Sequence, residues 1–273
     1  MEANIRAKKC LLPGKLEIDG IYTLFCEKPL EGYVFEGEYH DFWESVFVLN
    51  GSIRVTAGTD IFVFEKGQGV VHPPMEFHAL RSLEPGTVYC VFSFDGTMPF
   101  EGHIVGQADV DVISEIHRMG RQAFDFHNNT GIWANEIKSG GQAIYTVKKL
   151  EGVLAEMYFS GSEEKVRLKT DKNYSVIVNA LRKNIHRKLT LEELADICKM
   201  SPSNVKKVFG KYSGTGVMNY FNLMKVNKAK NLLREGFSVG EIAEKLGFAD
   251  ANYFSTVFRR VSGVSPLEYK KNL

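Results

Sequence analysis

The feature that most constrains this chain is a unit written twice between Thr190 and Tyr269. In the first copy Thr190-Leu-Glu-Glu193-Leu-Ala-Asp-Ile opens a helix, Lys199-Met-Ser201 breaks it, and Pro202 to Tyr212 runs as a second helix to Gly214. In the second copy Ser238-Val-Gly-Glu241-Ile-Ala-Glu opens a helix, Gly247-Phe-Ala-Asp250 breaks it, and Ala251 to Val261 leads to Gly263. Thr190-x-x-Glu193 and Ser238-x-x-Glu241 are both capping boxes, in which the hydroxyl accepts from the third helical N–H while the Glu returns to the cap's own N–H. Ser201-Pro202 and Asp250-Ala251 place a good N-cap before each second helix. Val205, Val208, Phe209, Gly214 and Tyr220 align with Phe254, Val257, Phe258, Gly263 and Tyr269, so the two small cores are built alike. A long helix from Val217 to Arg234 joins them and fixes the distance between them.

Charge separates this region from the rest. From Leu168 onward there are 19 Lys+Arg against 9 Asp+Glu, net +10, whereas residues 1–167 carry 15 against 24, net −9. An acidic front and a basic back imply that only the back meets a polyanion. The four cysteines, Cys10, Cys26, Cys90 and Cys198, form no C-x-x-C pair and read as reduced thiols of a cytoplasmic protein. No early apolar segment suits a signal peptide, and no uncharged run approaches the ~20 residues of a membrane span.

The front half reads as strands. Between Gly20 and Phe94 lie short β-branched and aromatic runs: Tyr22–Phe25, Trp43–Leu49, Ser52–Thr56, Asp60–Phe64, Gly69–Val71 and Thr87–Phe94. Asn50-Gly51 between two of them predicts a hairpin. Regular short strands suggest a β-sandwich or barrel, and a small barrel of this kind holds one small molecule among apolar walls. From about Ala108 the period turns helical, with Asn128–Gly131 closing the first helix. In the next, Ala143, Ile144, Val147, Leu150, Val153, Leu154, Met157 and Tyr158 form an apolar stripe that must pack on its own domain or on a second copy. The stripe is read as a dimer seam centred on Leu154. Gly161–Arg167 is a charged spacer and the expected domain boundary. The expected organisation is an α+β multidomain chain: a barrel over 1–105, a helical linker and dimerisation segment over 106–167, and an all-α domain with two helix-turn-helix units over 168–273.

Two resemblances give these parts a context. His40-Asp-Phe-Trp-Glu44 followed by Gly51, and Pro73-Pro-Met-Glu-Phe-His78, resemble the two cupin motifs, with Glu38 in place of a histidine and Met75 in place of a glycine. The resemblance implies an effector pocket drawn from His40, Trp43, Glu44, His78 and Tyr89. Glu38, His40, Glu44 and His78 could hold a divalent metal, since imidazole and carboxylate are ordinary ligands; the expectation is hydrogen-bonded barrel polars without a metal or other cofactor, and His72 is read as a rim residue. Ser201–Phe209, Lys225–Leu233 and Ile242–Tyr269 resemble the DNA-binding domain of AraC/XylS-type transcription regulators, with Lys225 where that family usually has Arg. That resemblance implies base contacts from Ser203, Lys206 and Lys207 on the first second-helix and from Asn252, Ser255 and Thr256 on the other, and phosphate contacts from Lys211, Arg259 and Arg260. It implies a cytoplasmic, non-enzymatic activator controlled by a small-molecule effector, working on double-stranded DNA as a homodimer with RNA polymerase. The alternative is a metal-dependent cupin enzyme with a DNA-localising tail.

Overall fold

The computed structural model describes residues 14–126, 133–160 and 171–271. The turn expected at Asn128–Gly131, the boundary expected at Gly161–Arg167 and Cys10 lie outside the described residues. The front half consists of β1 (Glu17–Glu27), β2 (Val34–Glu38), β3 (Trp43–Asn50), β4 (Ser52–Ala57), β5 (Asp60–Glu65), β6 (Gln68–His72), β7 (His78–Ser82), β8 (Val88–Thr97) and β9 (Ile104–Gln107). They form two antiparallel sheets, ordered β1-β8-β3-β6-β9 and β2-β7-β4-β5. Val46, Val48, Val55, Phe62, Phe64, Val70, Tyr89 and Val91 fill one core drawn from both sheets. Strand β3 is buried along nearly its whole length, because its other face is also covered, by helices.

Asn50-Gly51 is not a hairpin. Strands β3 and β4 belong to different sheets, and only Gly51 takes a positive φ, of 73°. The dipeptide turns the corner between the sheets, and a Cβ on Gly51 would stand 2.9 Å from the Cα of Thr87. The tight hairpin lies one strand later. There Ala57 pairs with Asp60 and Gly58, with φ of 57°, opens a two-residue loop, the position at which a primed turn demands glycine.

Helices α1 (Val110–Ala123) and α2 (Gly140–Ser160) lie on the outer face of the β1-β8-β3 sheet. The apolar stripe of α2 is therefore internal. Leu150, Val153, Leu154 and Met157 are buried with Trp43, Phe92, Ile113 and Ile116, which overturns the reading of this stripe as a dimer seam. Ile144 and Tyr158 of the stripe are exposed, as are Tyr145 and Phe159 beside them on α2. The cysteine reading is also corrected. Cys26 and Cys90 are direct cross-strand partners on β1 and β8 and are joined as a disulfide; a separation of 64 residues conceals what antiparallel register brings together. Cys198 is free and buried.

The back half is helical: α3 (Lys172–Lys183), α4 (Leu191–Cys198), α5 (Pro202–Ser213), α6 (Val217–Arg234), α7 (Val239–Lys245), α8 (Ala251–Ser262) and α9 (Pro266–Lys271). Helix α3 stops at Lys183, because Asn184 caps it by returning its backbone N–H and its side-chain amide to Ala180 O. The first helix pair packs around Leu194, Val205, Phe209 and Tyr220, the second around Ile242, Phe254, Val257 and Phe258. The first core is shared with the barrel, whose Ile61, Phe77 and Ala79 are buried in it.

Candidate nucleic-acid interface and barrel cavity

Each half of the repeat is fixed by the caps its sequence implies. Thr190 Oγ1 accepts from Glu193 N at 3.1 Å while Glu193 accepts from Thr190 N at 2.8 Å. Ser238 and Glu241 do the same at 3.3 and 2.8 Å. Ser201 accepts from Asn204 N and Asp250 from Tyr253 N. Gly214 and Gly263 end α5 and α8 with φ of 66° and 79°, the left-handed geometry that glycine adopts without cost.

With Val205 and Phe209, and with Phe254, Val257 and Phe258, turned inward, the opposite faces of α5 and α8 are open. Ser203, Lys206 and Lys207 are exposed on α5 and Asn252 and Thr256 on α8, while Ser255 is half-buried. Ser255 Oγ donates to Ala251 O and Thr256 Oγ1 to Asn252 O. These hydroxyls thus spend their protons on the helix and present an acceptor lone pair outward, with a methyl beside it on Thr256. Asn204 and Tyr253 are also exposed, one in each copy at the same register, on the face that carries Ser203, Lys207, Asn252 and Thr256. Lys211, Arg259 and Arg260 are exposed near the helix ends. Lys211 differs from the other two in place: its carbonyl accepts from Arg54 Nη2 at 2.8 Å, so it borders the groove where α5 meets the barrel.

The two units are pinned together at Lys225. Its side chain is 4% exposed, and its ammonium donates to Arg187 O at 2.9 Å and to Leu246 O at 2.5 Å. It lies 4.8 Å from the ring centroids of both Phe221 and Phe248. Burial lowers its pKa to about 8, while the two carbonyls and two ring faces favour the charged form. Gly247, in the second turn, passes so close that a Cβ would meet the Arg187 Cα at 2.3 Å. The barrel holds the first unit, where Thr56 Oγ1 donates to Tyr212 O and Tyr39 and Phe77 pack on Tyr220, and it reaches the far end of α6, where Asp41 pairs with Arg234.

Inside the barrel lies a cavity of about 290 Å³. Phe25, Tyr33, Phe35, Phe42, Tyr89 and Trp133 give it aromatic walls, and Thr23, Glu38, Glu44, His72, His78 and Ser93 give it polar groups. Glu44, His78 and Tyr89 are where the effector-pocket reading expected them. Trp43 is not, since it precedes Glu44 on β3 and points to the opposite face, edge-on to Phe100. His40 stands beside the cavity, stacked on Phe42 at 3.9 Å. His72, read as a rim residue, is 1% exposed and lines the cavity. The residues missed come mainly from β1 and β2, whose alternation is weak, and from Trp133 beyond the barrel strands.

Buried charge is graded across this cluster. Burial opposes the charge on His78, but the Glu38 and Glu44 carboxylates outweigh it and raise the pKa to about 10. Glu44 is likewise held well below the carboxylate range, its burial outweighed by bonds from His40 and His78. Burial and the neighbouring His78 lower His72 to about 4, so it is neutral. Its Nδ1 faces Glu76 Oε2 at 2.9 Å. One ligand atom from each of Glu38, His40, Glu44 and His78 lies within 4.8 Å of the others. The Nε2 atoms of His78 and His40 face Glu44 at 3.2 and 3.7 Å, and two imidazoles with two carboxylates suit a divalent cation.

A basic, all-helical domain with two capped helix-turn-helix units, set against a small cupin-like barrel with an aromatic cavity, defines a class of two-part chain in which one part meets DNA. The family described as "Helix-turn-helix domain" matches residues 194–272. This C-terminal domain is of the AraC/XylS type. The bifunctional transcriptional activator/DNA repair enzyme AdaA of Bacillus subtilis (strain 168) is 36% identical over 97 residues, covering 35% of this chain and 46% of AdaA. The transcriptional activator RhaR of Pectobacterium carotovorum is 34% identical over 97 residues, covering 35% of this chain and 34% of RhaR. The chain thus spans less than half the length of the curated relatives it matches. Among solved structures, wild-type ToxT of Vibrio cholerae with unsaturated fatty acid bound is similar over 94% of this chain and 97% of that one, at 17% identity and a TM-score of 0.39.

Proposed function

We propose that this chain is a sequence-specific transcription regulator, an activator, whose DNA affinity answers to a small molecule in the barrel. The observation that carries the reading is the pair of capped, outward-facing helices α5 and α8, locked in one relative placement by Lys225. Two such helices on one rigid frame fit successive major-groove segments ~34 Å apart, so one chain reads an asymmetric site. Lysine suits guanine O6 and N7, asparagine suits adenine, and the Thr256 methyl suits a thymine methyl. Arg259, Arg260 and Lys211 supply phosphate contacts that add affinity without sequence information. A second copy bound through the exposed face of α2 and a contact to RNA polymerase complete the proposed assembly, in the cytoplasm.

The cavity suits an effector with an apolar or aromatic body and a polar end directed at Glu44 and His78. Glu38, His40, Glu44 and His78 would hold a divalent cation if one binds, and it would offer a Lewis-acidic coordination site to a ligand oxygen. The chain's own contribution is to bind and orient: Ser93 Oγ donates to Glu44 Oε2 at 2.8 Å and so fixes the carboxylate that faces the ligand. Effector binding changes DNA affinity only through different affinity for two arrangements of barrel and reader.

Selection of random duplexes by the full chain tests the DNA reading. Lys207→Ala is expected to relax preference at one base position by about 1–3 kcal/mol, whereas Arg260→Ala weakens all sequences alike and lowers the salt slope by about one. Equal, sequence-blind losses from both variants would defeat the assignment.

A further inference from the structure

Cys26 and Cys90 face each other on neighbouring strands. Their flanking residues, Phe25 and Glu27 on β1 and Tyr89 and Val91 on β8, line the cavity. Side chains alternate along a strand, so the two sulfurs project from the other face of the same wall. There they lie in the apolar layer beneath α1, packed with the residues of that core. His117 on α1 completes the group, with a ring nitrogen and both sulfurs within 4.8 Å of one another. Helix α1 is drawn tight onto β1 next to this point: a Cβ on Gly120 would meet Leu24 Cδ1 at 2.1 Å. Cys90 is fully buried, whereas Cys26 is only partly so.

We propose that Cys26, Cys90 and His117 form a reversible thiol–disulfide site that reacts with low-molecular-weight disulfides and clamps the cavity wall when it closes. On the reading of the chain as a DNA regulator it works among reducing small thiols, where a pair that can close serves as a sensor rather than a permanent staple. The chemistry follows from access. Cys26 gives its proton to His117, and its thiolate attacks one sulfur of the small disulfide RSSR. The S–S bond of the reagent breaks, RS⁻ leaves and takes the proton from His117, and Cys26 carries a mixed disulfide. Cys90 then gives its proton to His117 and attacks the Cys26 sulfur, forming the Cys26–Cys90 bond and releasing the second RSH. Two protein thiols are oxidised by two electrons and RSSR is reduced to two RSH. Burial and the nearby Arg121 charge hold the His117 pKa below its usual range, so the ring is a neutral base near pH 7. Closure ties together the two strands that carry Phe25, Glu27, Tyr89 and Val91.

The test uses the full chain carrying Cys10→Ser and Cys198→Ser, reduced and then exposed to oxidised glutathione, with thiol titration and intact mass as readouts. Both thiols are expected to disappear with no retained glutathione mass, and to return with excess reduced glutathione. Cys90→Ser is expected to stop at one glutathione adduct, and His117→Gln to slow the first step roughly tenfold or more. Because Cys90→Ser removes a buried group, peptide mapping of the parent protein provides a second readout: a linked Cys26–Cys90 peptide after oxidation. A stable adduct on both cysteines, or two unreactive thiols, overturns the site; an unchanged rate in His117→Gln overturns the role of the base. Closure that leaves DNA affinity unchanged overturns the clamp on the cavity, while the DNA reading stands or falls separately on the base-preference experiment with Lys207→Ala.

Discussion

Lys225→Met keeps the stem of the side chain and deletes its ammonium, leaving the carbonyls of Arg187 and Leu246 without the donors that now reach them at 2.9 and 2.5 Å. A hydrogen bond from a charged donor contributes about 1.5–3 kcal/mol, so the two contribute about 3–6 kcal/mol gross. Against this stands burial, which lowers the amine from 10.5 to about 8 and costs the charged form at most about 3 kcal/mol. The expected net loss is at most about 3 kcal/mol, and it falls at the junction between the two readers. Urea titration should register the loss of stability. The more telling assay compares fluorescence anisotropy on a full DNA site with that on each half-site. Binding to the full site gains from the second contact being held at high effective concentration, so loosening the junction lowers full-site affinity roughly tenfold while each half-site changes little. Lys225→Arg, which retains donors for both carbonyls, should restore most of the difference. An unchanged ratio of full-site to half-site affinity in Lys225→Met would refute the argument that this lysine sets the spacing.

Three further outcomes follow. The carboxyl pKa values of Glu193 and Glu241 are depressed, Glu193 chiefly by the Thr190 backbone N–H and Glu241 chiefly by the Ser238 hydroxyl; since the unfolded chain binds protons that the folded one refuses, their stabilisation is complete above pH 4.5 and lost as pH falls below it. Urea midpoints measured across that window should fall for the natural chain and flatten in the Glu193→Gln, Glu241→Gln double variant. Met75 holds a left-handed φ of 67°, so Met75→Gly should raise the melting temperature, with about 0.5–1 kcal/mol gained as relief of strain exceeds the entropy that glycine loses. Leu154 is fully buried between α2 and the sheet, so Leu154→Glu should cost roughly 4 kcal/mol or more and unfold the barrel layer; a well-folded monomer by sedimentation and circular dichroism would instead restore the dimer-seam reading.

Much of the helical domain was legible because its signals are local. A capping box is a four-residue statement, and Thr190, Glu193, Ser238 and Glu241 make in space the bonds their spacing implies. The outward sets on α5 and α8 followed from the same logic, since burying Val205 and Phe209 decides where Lys206 and Lys207 point. The barrel was harder because its chemistry depends on register between distant strands. Nothing near Cys26 announces Cys90, and Asn50-Gly51 carries the signature of a hairpin while serving as a corner between sheets. Trp43 was misplaced by one residue of strand period: Glu44 faces the cavity, so its neighbour cannot. The α2 stripe was read correctly as a face that must be covered, but its partner, the back of the β1-β8-β3 sheet, is a tertiary fact.

The barrel grips the two readers unequally. Ile61, Phe77 and Ala79 enter the core of the first, and Thr56 and Arg54 hold the end of α5, whereas the second shares no such core and meets the barrel through Asp41, whose partner Arg234 ends α6 and also donates to the Tyr269 hydroxyl. At 18 residues and 1.5 Å per residue, α6 is an arm of about 27 Å. It touches the barrel at both ends, through Tyr220 and through Arg234, and Lys225 ties the two readers together between them, so the readers move against the barrel as one piece. A small ligand that shifts the barrel therefore bears on both operator halves together, so the spacing between the halves, more than the bases of either one, should set how strongly a promoter responds.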